Sequence, residues 1–371
     1  MLRAIANSSL NFRCSALSRS VLTQLKCAYQ TSTMSSHKVF ENLRSSASLI
    51  VIAPNRCVSN AEEYDYKVLM LRRSSNISSF VNAHVFPGGN VDATEKLAEW
   101  LEPTKSPLYQ QTALDYNPAQ DELLKFKLCA IRETFEECGL LLTKAQNDQH
   151  KAFGAEELQS WRNLIYRDAD KFIEICREHQ MYPTVEQLTH FSNWITPINY
   201  PKRYDTHFFL TFLNVDLNEL ESTIIADGQE SVHTVWYTPS QALRAFEKGE
   251  ITLFPPQWYT LNELSQSKTI SELRGYLSKC DKIVPFVPQF QKANSEEIHN
   301  FPTIENTDTV KLFSMLPGDE SYSLPSVAVS KPGNRHRLWI CKDKNTQRMF
   351  SIQLEKSEAK TSNETKVFSK M

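Results

Sequence analysis

Glycine is scarce in this chain of 371 residues, which contains only nine. Glycine-rich phosphate-binding loops and sharp nucleophile turns need a residue that lets the backbone approach closely or adopt positive φ. The sequence has no G-x-G-x-x-G, no G-x-x-x-x-G-K-[ST] and no G-x-S-x-G. Rossmann dinucleotide-binding domains, P-loop NTPases and serine esterases in their usual forms are therefore excluded.

Long hydrophobic runs and paired cysteines are also absent. A membrane-spanning helix needs about 18 or more apolar residues in succession, whereas the densest apolar stretches, Leu49–Ala53 and Phe208–Leu213, have the length of strands. We therefore predict no membrane span. The eight cysteines form no C-x-x-C pair, which argues against a zinc site or a disulfide framework and favours a reducing compartment.

Positive and negative charges are nearly balanced in this chain. The chain has 41 Lys and Arg against 43 Asp and Glu, so its formal net charge is −2. Such a balance gives no general electrostatic basis for binding nucleic acid or an anionic membrane. Hydrophobic residues make up 41% of the chain and charged residues 23%, as is typical of a globular protein. We therefore expect no nucleic-acid partner.

The two ends of the chain carry conflicting address signals. Residues 1–36 contain arginine, lysine and many serines but no acidic residue, which resembles a mitochondrial transit peptide. A disordered leader, or sequence upstream of a start at Met34, is the alternative. The terminus Ser369-Lys370-Met371 is similar to the Ser-Lys-Leu peroxisomal signal. Translation from Met34 would favour the peroxisome, so we predict that an import receptor binds this tripeptide; the mitochondrion, through residues 1–33, is the alternative.

Apolar periodicity predicts a succession of strands and helices. The predicted strands are Ala47–Ala53, Tyr66–Leu71, His84–Phe86, Trp194–Pro197, Thr206–Val215, Thr234–Tyr237, Thr309–Met315, His336–Cys341 and Arg348–Leu354, the last two as a hairpin. The predicted helices are Asp121–Leu141, a block over Glu156–His179, a short helix over Glu186–Ser192, and Pro239–Lys248.

The helix from Asp121 has an acidic face opposite an apolar one. At about 100° per residue, its apolar residues lie within about 80° of one another: Leu124, Leu128, Ile131, Phe135 and Cys138. Glu133, Glu136 and Glu137 lie on the other face within one turn. Water can compensate such repelling charges, and so can a hard divalent cation with oxygen ligands. By itself, the pattern favours a solvated face.

Neighbouring residues change that interpretation. Gly89-x5-Glu95 is followed later by Arg132-Glu133-Thr134-Phe135-Glu136-Glu137-Cys138-Gly139. Together they resemble the nudix box, G-x5-E-x7-R-E-U-x-E-E-x-G-U, in which U is apolar, and they match its fixed identities. Two features depart from it. Glu95 and Arg132 are separated by 36 residues instead of seven, and the first U is Thr134, which a half-buried helix position would tolerate.

The split box is similar to that of the coenzyme A diphosphatase branch of the nudix superfamily, the moiety-X motif 19 type. Further similar stretches are Phe86–Asp92, Pro201–Leu210, Leu253–Gln257 and Leu316–Asp319. The resemblance runs from about Ser46 to the C-terminus and implies an α/β fold, the nudix α/β/α sandwich with a mixed sheet. We expect it over residues 40–270 with insertions at about 96–122 and 145–190. A C-terminal extension would follow over 271–371, with a flexible tail from about 356.

The resemblance implies roles for the acidic residues and their neighbours. Glu136 and Glu137 would be ligands of Mg²⁺ or Mn²⁺, and Glu133 either a third ligand or the base that takes a proton from water. The carbonyl of Gly88 would be a backbone ligand. Arg132 would orient the glutamates, in a pair with Glu95 if the insertion allows it.

A fourth acid often comes from a loop before the last strand of such domains. Glu230 is in such a position, six residues before Trp236. A plain turn carboxylate is an equal alternative for Glu230.

The implied substrate is coenzyme A or acyl-CoA, cleaved at its diphosphate into 3′-phospho-AMP and (acyl-)4′-phosphopantetheine. Gly89, Arg72, Arg73 and Arg203 are the candidate substrate-binding residues, since arginine binds phosphate in a bidentate manner; for each arginine, surface solubility is the alternative. Helices within 145–190 would shape the pantetheine end. Two other functions stay open: a nudix enzyme for ADP-ribose or NADH, and a non-catalytic nudix binding module, which would have lost its carboxylates.

Overall fold

Thirteen strands and seven α-helices are found in the described part of a computed structural model. The described residues are 39–55, 64–74, 83–92, 97–102, 106–109, 117–146, 153–215, 217, 224, 231–279, 283–294, 309–324, 327–343 and 349–358. Residues 43–371 form one compact unit, and residues 1–42 form another, of which only 39–42 are described.

The strands are β1 (Arg44–Pro54), β2 (Tyr66–Arg73), β3 (His84–Val85), β4 (Gly88–Asn90), β5 (Thr143–Ala145), β6 (Met181–Pro183), β7 (Thr189–Ile195), β8 (Tyr204–Phe212), β9 (Ser231–Tyr237), β10 (Gln289–Lys292), β11 (Thr309–Met315), β12 (Arg335–Asp343) and β13 (Met349–Ser357). The helices are α1 (Leu97–Trp100), α2 (Leu124–Cys138), α3 (Ala155–Arg167), α4 (Lys171–Glu178), α5 (Pro239–Glu247), α6 (Pro255–Leu264) and α7 (Ile270–Leu277).

A seven-stranded mixed sheet is the framework of the molecule. Its main order is β3-β2-β1-β8-β7, with β4 paired to β1 and β9 paired to β2. β1 runs parallel to β8 and antiparallel to β2 and β4. As the central strand it is covered on both faces, which explains its continuous apolar run Leu49–Ala53, all fully buried.

Helices cover both faces of this sheet and create two apolar cores. On one face, Leu49 and Val51 of β1 belong to the same cluster as Leu128, Ile131 and Phe135 of α2. On the other face, Ile50 and Ile52 of β1 belong to the same cluster as Phe246 of α5 and Leu261 and Leu264 of α6. Burial of each such large apolar side chain contributes about 1.5–3 kcal/mol. The predicted α/β/α sandwich with a mixed sheet is confirmed.

A second, four-stranded antiparallel sheet follows in the C-terminal part, with the order β10-β11-β12-β13. Its strand β13 contacts α5 and α6, and Leu338, Ile340 and Ile352 enter the same core as those helices. The predicted strand Thr309–Met315 is confirmed at both ends. The predicted hairpin is confirmed as the antiparallel pair β12–β13, with Leu338 opposite Leu354.

Three of the predicted elements need correction. The block Glu156–His179 is two helices, α3 and α4, because the chain turns at residues 168–170. The predicted helix over Glu186–Ser192 is wrong. A single 3₁₀ turn at Val185–Gln187 is followed by β7, Thr189–Ile195. This strand starts before the predicted strand Trp194–Pro197 and shares only Trp194 and Ile195 with it. α6 and α7 were not predicted from the sequence.

No helix within the described residues is both long and apolar enough to cross a membrane.

Candidate active site

Helix α2 carries the three glutamates and is fixed in place by its apolar face. It packs against β1 and β4, and it ends at Cys138 because Gly139 adopts a left-handed φ of 77° and its N–H bonds the carbonyl of Phe135. Glu136 and Glu137 are 7% and 4% exposed. The acidic face therefore lies against the loop that contains the glycine pair, away from bulk water.

The two glycines of β4, the strand that packs against α2, are required for different reasons. Gly88 has a φ of 153°, and a Cβ there would lie 2.2 Å from the carbonyl oxygen of Ala47 in β1. A Cβ on Gly89 would instead lie 2.5 Å from the carboxyl carbon of Glu133. Gly88 thus permits the backbone path, whereas Gly89 leaves room for the Glu133 carboxylate.

Glu137 is held by the backbone of this loop and by one arginine. The N–H of Gly88 donates to its Oε2 at 2.8 Å. Arg73, at the end of β2, has its Nη1 3.9 Å from Oε1. Of the three arginines predicted to bind substrate, Arg73 is therefore the one that the structure brings to the glutamates.

Arg132 connects the other two glutamates. Its Nη1 donates to Glu133 Oε1 at 3.0 Å and to Glu136 Oε1 at 2.6 Å, while Nη2 donates to the carbonyl of Asn90 at 3.1 Å. The residue is only 3% exposed. These contacts orient both carboxylates relative to the glycine loop, as the sequence-based role of Arg132 requires.

The glutamates line a cavity of about 330 Å³. Its lining also includes Arg132, Asn90 and Asp92, together with Tyr166 and Arg167 from the end of α3. Sequence reasoning did not single out these lining residues other than Arg132. Asp92 could have been found, because it belongs to the stretch Phe86–Asp92; Tyr166 and Arg167 have no local signal, since only the tertiary packing of α3 brings them here.

Two predicted substrate-binding residues lie elsewhere. Arg72 is exposed and does not line the cavity. Arg203 is buried, and its Nε donates to the carbonyl of Thr196 at 3.1 Å. Neither residue lines this cavity, and their roles in substrate binding stay predictions. Glu95 and Glu230 lie outside the described residues, so the pairing of Glu95 with Arg132 and the role of Glu230 stay predictions.

Comparison with known proteins agrees with this geometry. A family model, the NUDT19 Nudix domain, matches residues 43–110 and 102–264. The chain belongs to this nudix family. The two matched segments meet inside the insertion that separates the halves of the nudix box. The chain is 29% identical to the acyl-coenzyme A diphosphatase NUDT19 of Xenopus laevis, over 61% of this chain and 68% of the relative. It is 30% identical to the protein of the same name from Gallus gallus, over 70% of this chain and 73% of that relative.

A solved nudix hydrolase from Alicyclobacillus acidocaldarius is also similar. The two structures align with a TM-score of 0.49 and 19% sequence identity. The alignment covers 64% of this chain and 97% of the Alicyclobacillus chain.

Nudix hydrolases generally use a divalent metal ion, and the donor set here suits one. Three carboxylates line one cavity, and carboxylate oxygens are the ligands that Mg²⁺ prefers. The space that a Cβ on Gly89 would fill is taken by the Glu133 carboxylate. As arranged, no three His, Cys, Asp or Glu side chains of the described residues could share one ion. Arg132 lies between Glu133 and Glu136, and Glu137 turns toward Gly88, so binding a metal would require these carboxylates to reorient.

Proposed function

We propose that this chain hydrolyses the diphosphate bond of coenzyme A and acyl-CoA, with Mg²⁺ or Mn²⁺ as cofactor. The products would be 3′-phospho-AMP and 4′-phosphopantetheine or its acyl form. The observation that carries the proposal is the placement of three glutamates from one helical turn against a two-glycine loop, at one wall of a cavity. The relatives named acyl-coenzyme A diphosphatase support the substrate class.

In this proposal Glu136 and Glu137 hold the metal, with the Gly88 carbonyl as a further ligand. A divalent ion there would neutralise the diphosphate oxygens, whose negative charge otherwise repels a nucleophile. As arranged, the Gly88 N–H holds Glu137 and Arg132 holds Glu136, and both carboxylates would turn toward the ion when it binds.

Glu133 is the best candidate for the base. Its side chain is 17% exposed, against 8% for Glu136 and 5% for Glu137, so it has the readiest access to water. A base must lie within hydrogen-bonding reach of the water whose proton it accepts. Arg132 Nη1 holds one oxygen of Glu133, Oε1, at 3.0 Å, which fixes the direction of the carboxylate.

A substrate panel tests this function. Purified protein with Mg²⁺ is incubated with coenzyme A, an acyl-CoA, ADP-ribose and NADH, and products are identified by mass spectrometry. We expect the fastest turnover with coenzyme A or acyl-CoA, loss of activity with a chelator, and recovery on adding metal. Faster turnover of ADP-ribose or NADH would overturn the substrate assignment. Absence of turnover with all four would favour the non-catalytic binding module.

The compartment is a separate proposal, and both address signals lie outside the described residues. We propose import into the peroxisome through Ser369-Lys370-Met371. Microscopy of a full-length protein and of one starting at Met34, both with a free native C-terminus, tests it. Peroxisomal signal that is lost when Met371 is removed would agree, and mitochondrial signal from both proteins would contradict it.

A further inference from the structure

One part of the cavity wall is built by the end of helix α3 and the residues that follow it. Ile165, Tyr166, Arg167 and Ala169 line it. Ile165 and Ala169 are 1% and 5% exposed, whereas Tyr166 is 43% exposed and Arg167 is also exposed. The wall thus has a buried apolar base, and a phenol and a guanidinium remain accessible to a ligand.

This wall is fixed to the catalytic helix. Arg162, one turn before Tyr166 on α3 and 6% exposed, donates from Nε to the carbonyl of Glu136 at 2.7 Å. Ile165 belongs to the same apolar cluster as Leu128 and Phe135 of α2. The backbone at the end of α3 is therefore held at a set position relative to α2, which places its side chains near the glutamates as recognition of a substrate requires.

The charges around the cavity leave one guanidinium for a ligand. Of its two arginines, Arg132 already bonds Glu133 and Glu136. Arg167 is the other, and it forms no ion pair with any of the described residues. Arginine binds phosphate through two parallel N–H donors. It lines the same cavity as the three glutamates, which suits a substrate whose negative groups must be held there.

We propose that Arg167 binds a phosphate group of the substrate and thereby sets its KM. The inference rests on the proposed diphosphatase function. Coenzyme A has two sources of the same chemistry, the diphosphate that is cleaved and the 3′-phosphate. Arg167 is a substrate-binding residue that local sequence patterns do not reveal, and it gives the helical insertion a role in recognition.

Steady-state kinetics of three variants test the proposal. Arg167→Ala should raise KM for coenzyme A about tenfold or more and change kcat by less than about threefold, because a contact made equally in the ground and transition states affects KM alone. Arg167→Lys should give a smaller rise, since lysine keeps the charge but loses the bidentate geometry. Lys171→Ala is the matched control; this lysine pairs with Glu174 on α4 and does not line the cavity.

Coenzyme A lacking its 3′-phosphate identifies the phosphate that is bound. A KM rise in Arg167→Ala with both substrates assigns the contact to the diphosphate, and a rise with intact coenzyme A alone assigns it to the 3′-phosphate. Either result supports the proposal. An unchanged KM, or a loss confined to kcat, overturns it, provided that thermal unfolding shows a folded variant. If wild-type protein has no diphosphatase activity, the proposed function fails instead.

Discussion

Gly88 and Gly89 show how two identical neighbouring residues serve separate purposes. The first has positive φ and lies against the backbone of β1, whereas the second lies against the movable end of the Glu133 side chain. A methyl group at Gly88 would meet atoms that cannot move without disturbing the sheet. A methyl group at Gly89 would meet a carboxylate that can rotate away, at the cost of its orientation.

The pair Gly88→Ala and Gly89→Ala should therefore separate stability from activity. We expect Gly88→Ala to lower the melting temperature clearly, because both φ and the 2.2 Å approach to Ala47 are incompatible with a side chain. Gly89→Ala should unfold near the wild-type temperature but lose about tenfold or more in kcat. Calorimetry and kinetics check this; equal effects of both changes on both quantities would contradict it.

Thr134 shows what sequence reasoning predicts at the residue scale and what it does not. The acidic face of α2 was evident from spacing, and the structure keeps Glu133, Glu136 and Glu137 on one cavity. Thr134 was expected to be half buried, yet it is fully buried. Its hydroxyl donates to the carbonyl of Ala130 at 2.7 Å, which satisfies the polar group inside an apolar face. A prediction from apolar periodicity alone does not take such a hydrogen bond into account.

At the scale of elements, one buried and one half-exposed contact connect the helices of the 145–190 insertion to other elements. Arg162 bonds the backbone of α2, and Arg177 of α4 forms an ion pair with Glu99 of α1 at 2.9 Å. The sequence predicted helical structure here but not the break at residues 168–170 or the side that faces the glutamates. These features depend on contacts between residues far apart in the chain, which no local period encodes.

Arg162→Ala should detach the end of α3 from α2. We expect a loss of about 1.5–3 kcal/mol in the free energy of unfolding, because the change removes a buried charged hydrogen bond. Urea denaturation measures it. Asn163→Ala is the control: this exposed neighbour accepts only a bond from Gln159 at 3.2 Å, and its loss should cost less than about 0.5 kcal/mol. Similar losses in both variants would show that Arg162 does not anchor the helix.

The pairing of β7 with β8 should be sensitive to acid. Burial, together with the charges of His207 and Lys127, lowers the pKa of His190 on β7 to about 4. In the unfolded chain the ordinary value is about 6.5. As pH falls from about 6.5 to 4, the unfolded state therefore takes up a proton that the folded state resists, and stability falls.

His190→Gln tests this effect, because glutamine can keep a hydrogen bond to His207 Nδ1, which lies 3.1 Å from His190 Nε2. The variant should lose less stability than wild type between pH 6.5 and 4 in thermal unfolding experiments. Burial and the charge of Arg72 lower the pKa of His84 to about 4 as well. The acid sensitivity of the variant should therefore be lower than that of wild type but not absent. Parallel stability curves for the two proteins would refute the role of His190.

At the scale of the whole molecule, the C-terminal sheet contains a buried ion pair. Arg337 donates to Asp319 from Nε at 2.9 Å and Nη2 at 3.2 Å, and Asp319 is fully buried. Burial opposes ionisation, yet bonds from Arg337 and from the N–H groups of His336 and Ser321 hold the pKa of Asp319 below its ordinary value. The pair therefore stays charged at neutral pH.

Removing the carboxylate should be costly because the arginine would remain buried. Asp319→Ala is expected to lose about 3–5 kcal/mol of unfolding free energy. Glu320→Ala, which removes a half-exposed partner of Arg335 at 2.9 Å, should lose at most about 1 kcal/mol. Chemical denaturation of both variants measures the contrast. A loss below 1 kcal/mol for Asp319→Ala would mean that the pair contributes little.

Much of the layered fold was predictable because many of its strands and helices carry their own apolar pattern, although α6 and α7 were not predicted. β1, β11 and the β12–β13 hairpin follow from local pattern. The contribution of α3 to the cavity was not predictable. The 36 residues between Glu95 and Arg132 split the nudix box, and α3 lies in the later insertion, so no local motif relates this helix to the glutamates. The carboxylates were found from a short motif, whereas the cavity residues from the end of α3 needed the three-dimensional structure.

The most direct test of the carboxylate site is the rate of coenzyme A hydrolysis by Glu137→Gln in the presence of Mg²⁺. This change keeps the size of the side chain and removes its charge. We expect a loss of at least about 100-fold in rate, with an unchanged circular dichroism spectrum. A variant that is folded and hydrolyses coenzyme A at the wild-type rate would contradict the assignment of Glu137 and the metal-dependent mechanism proposed for this cavity.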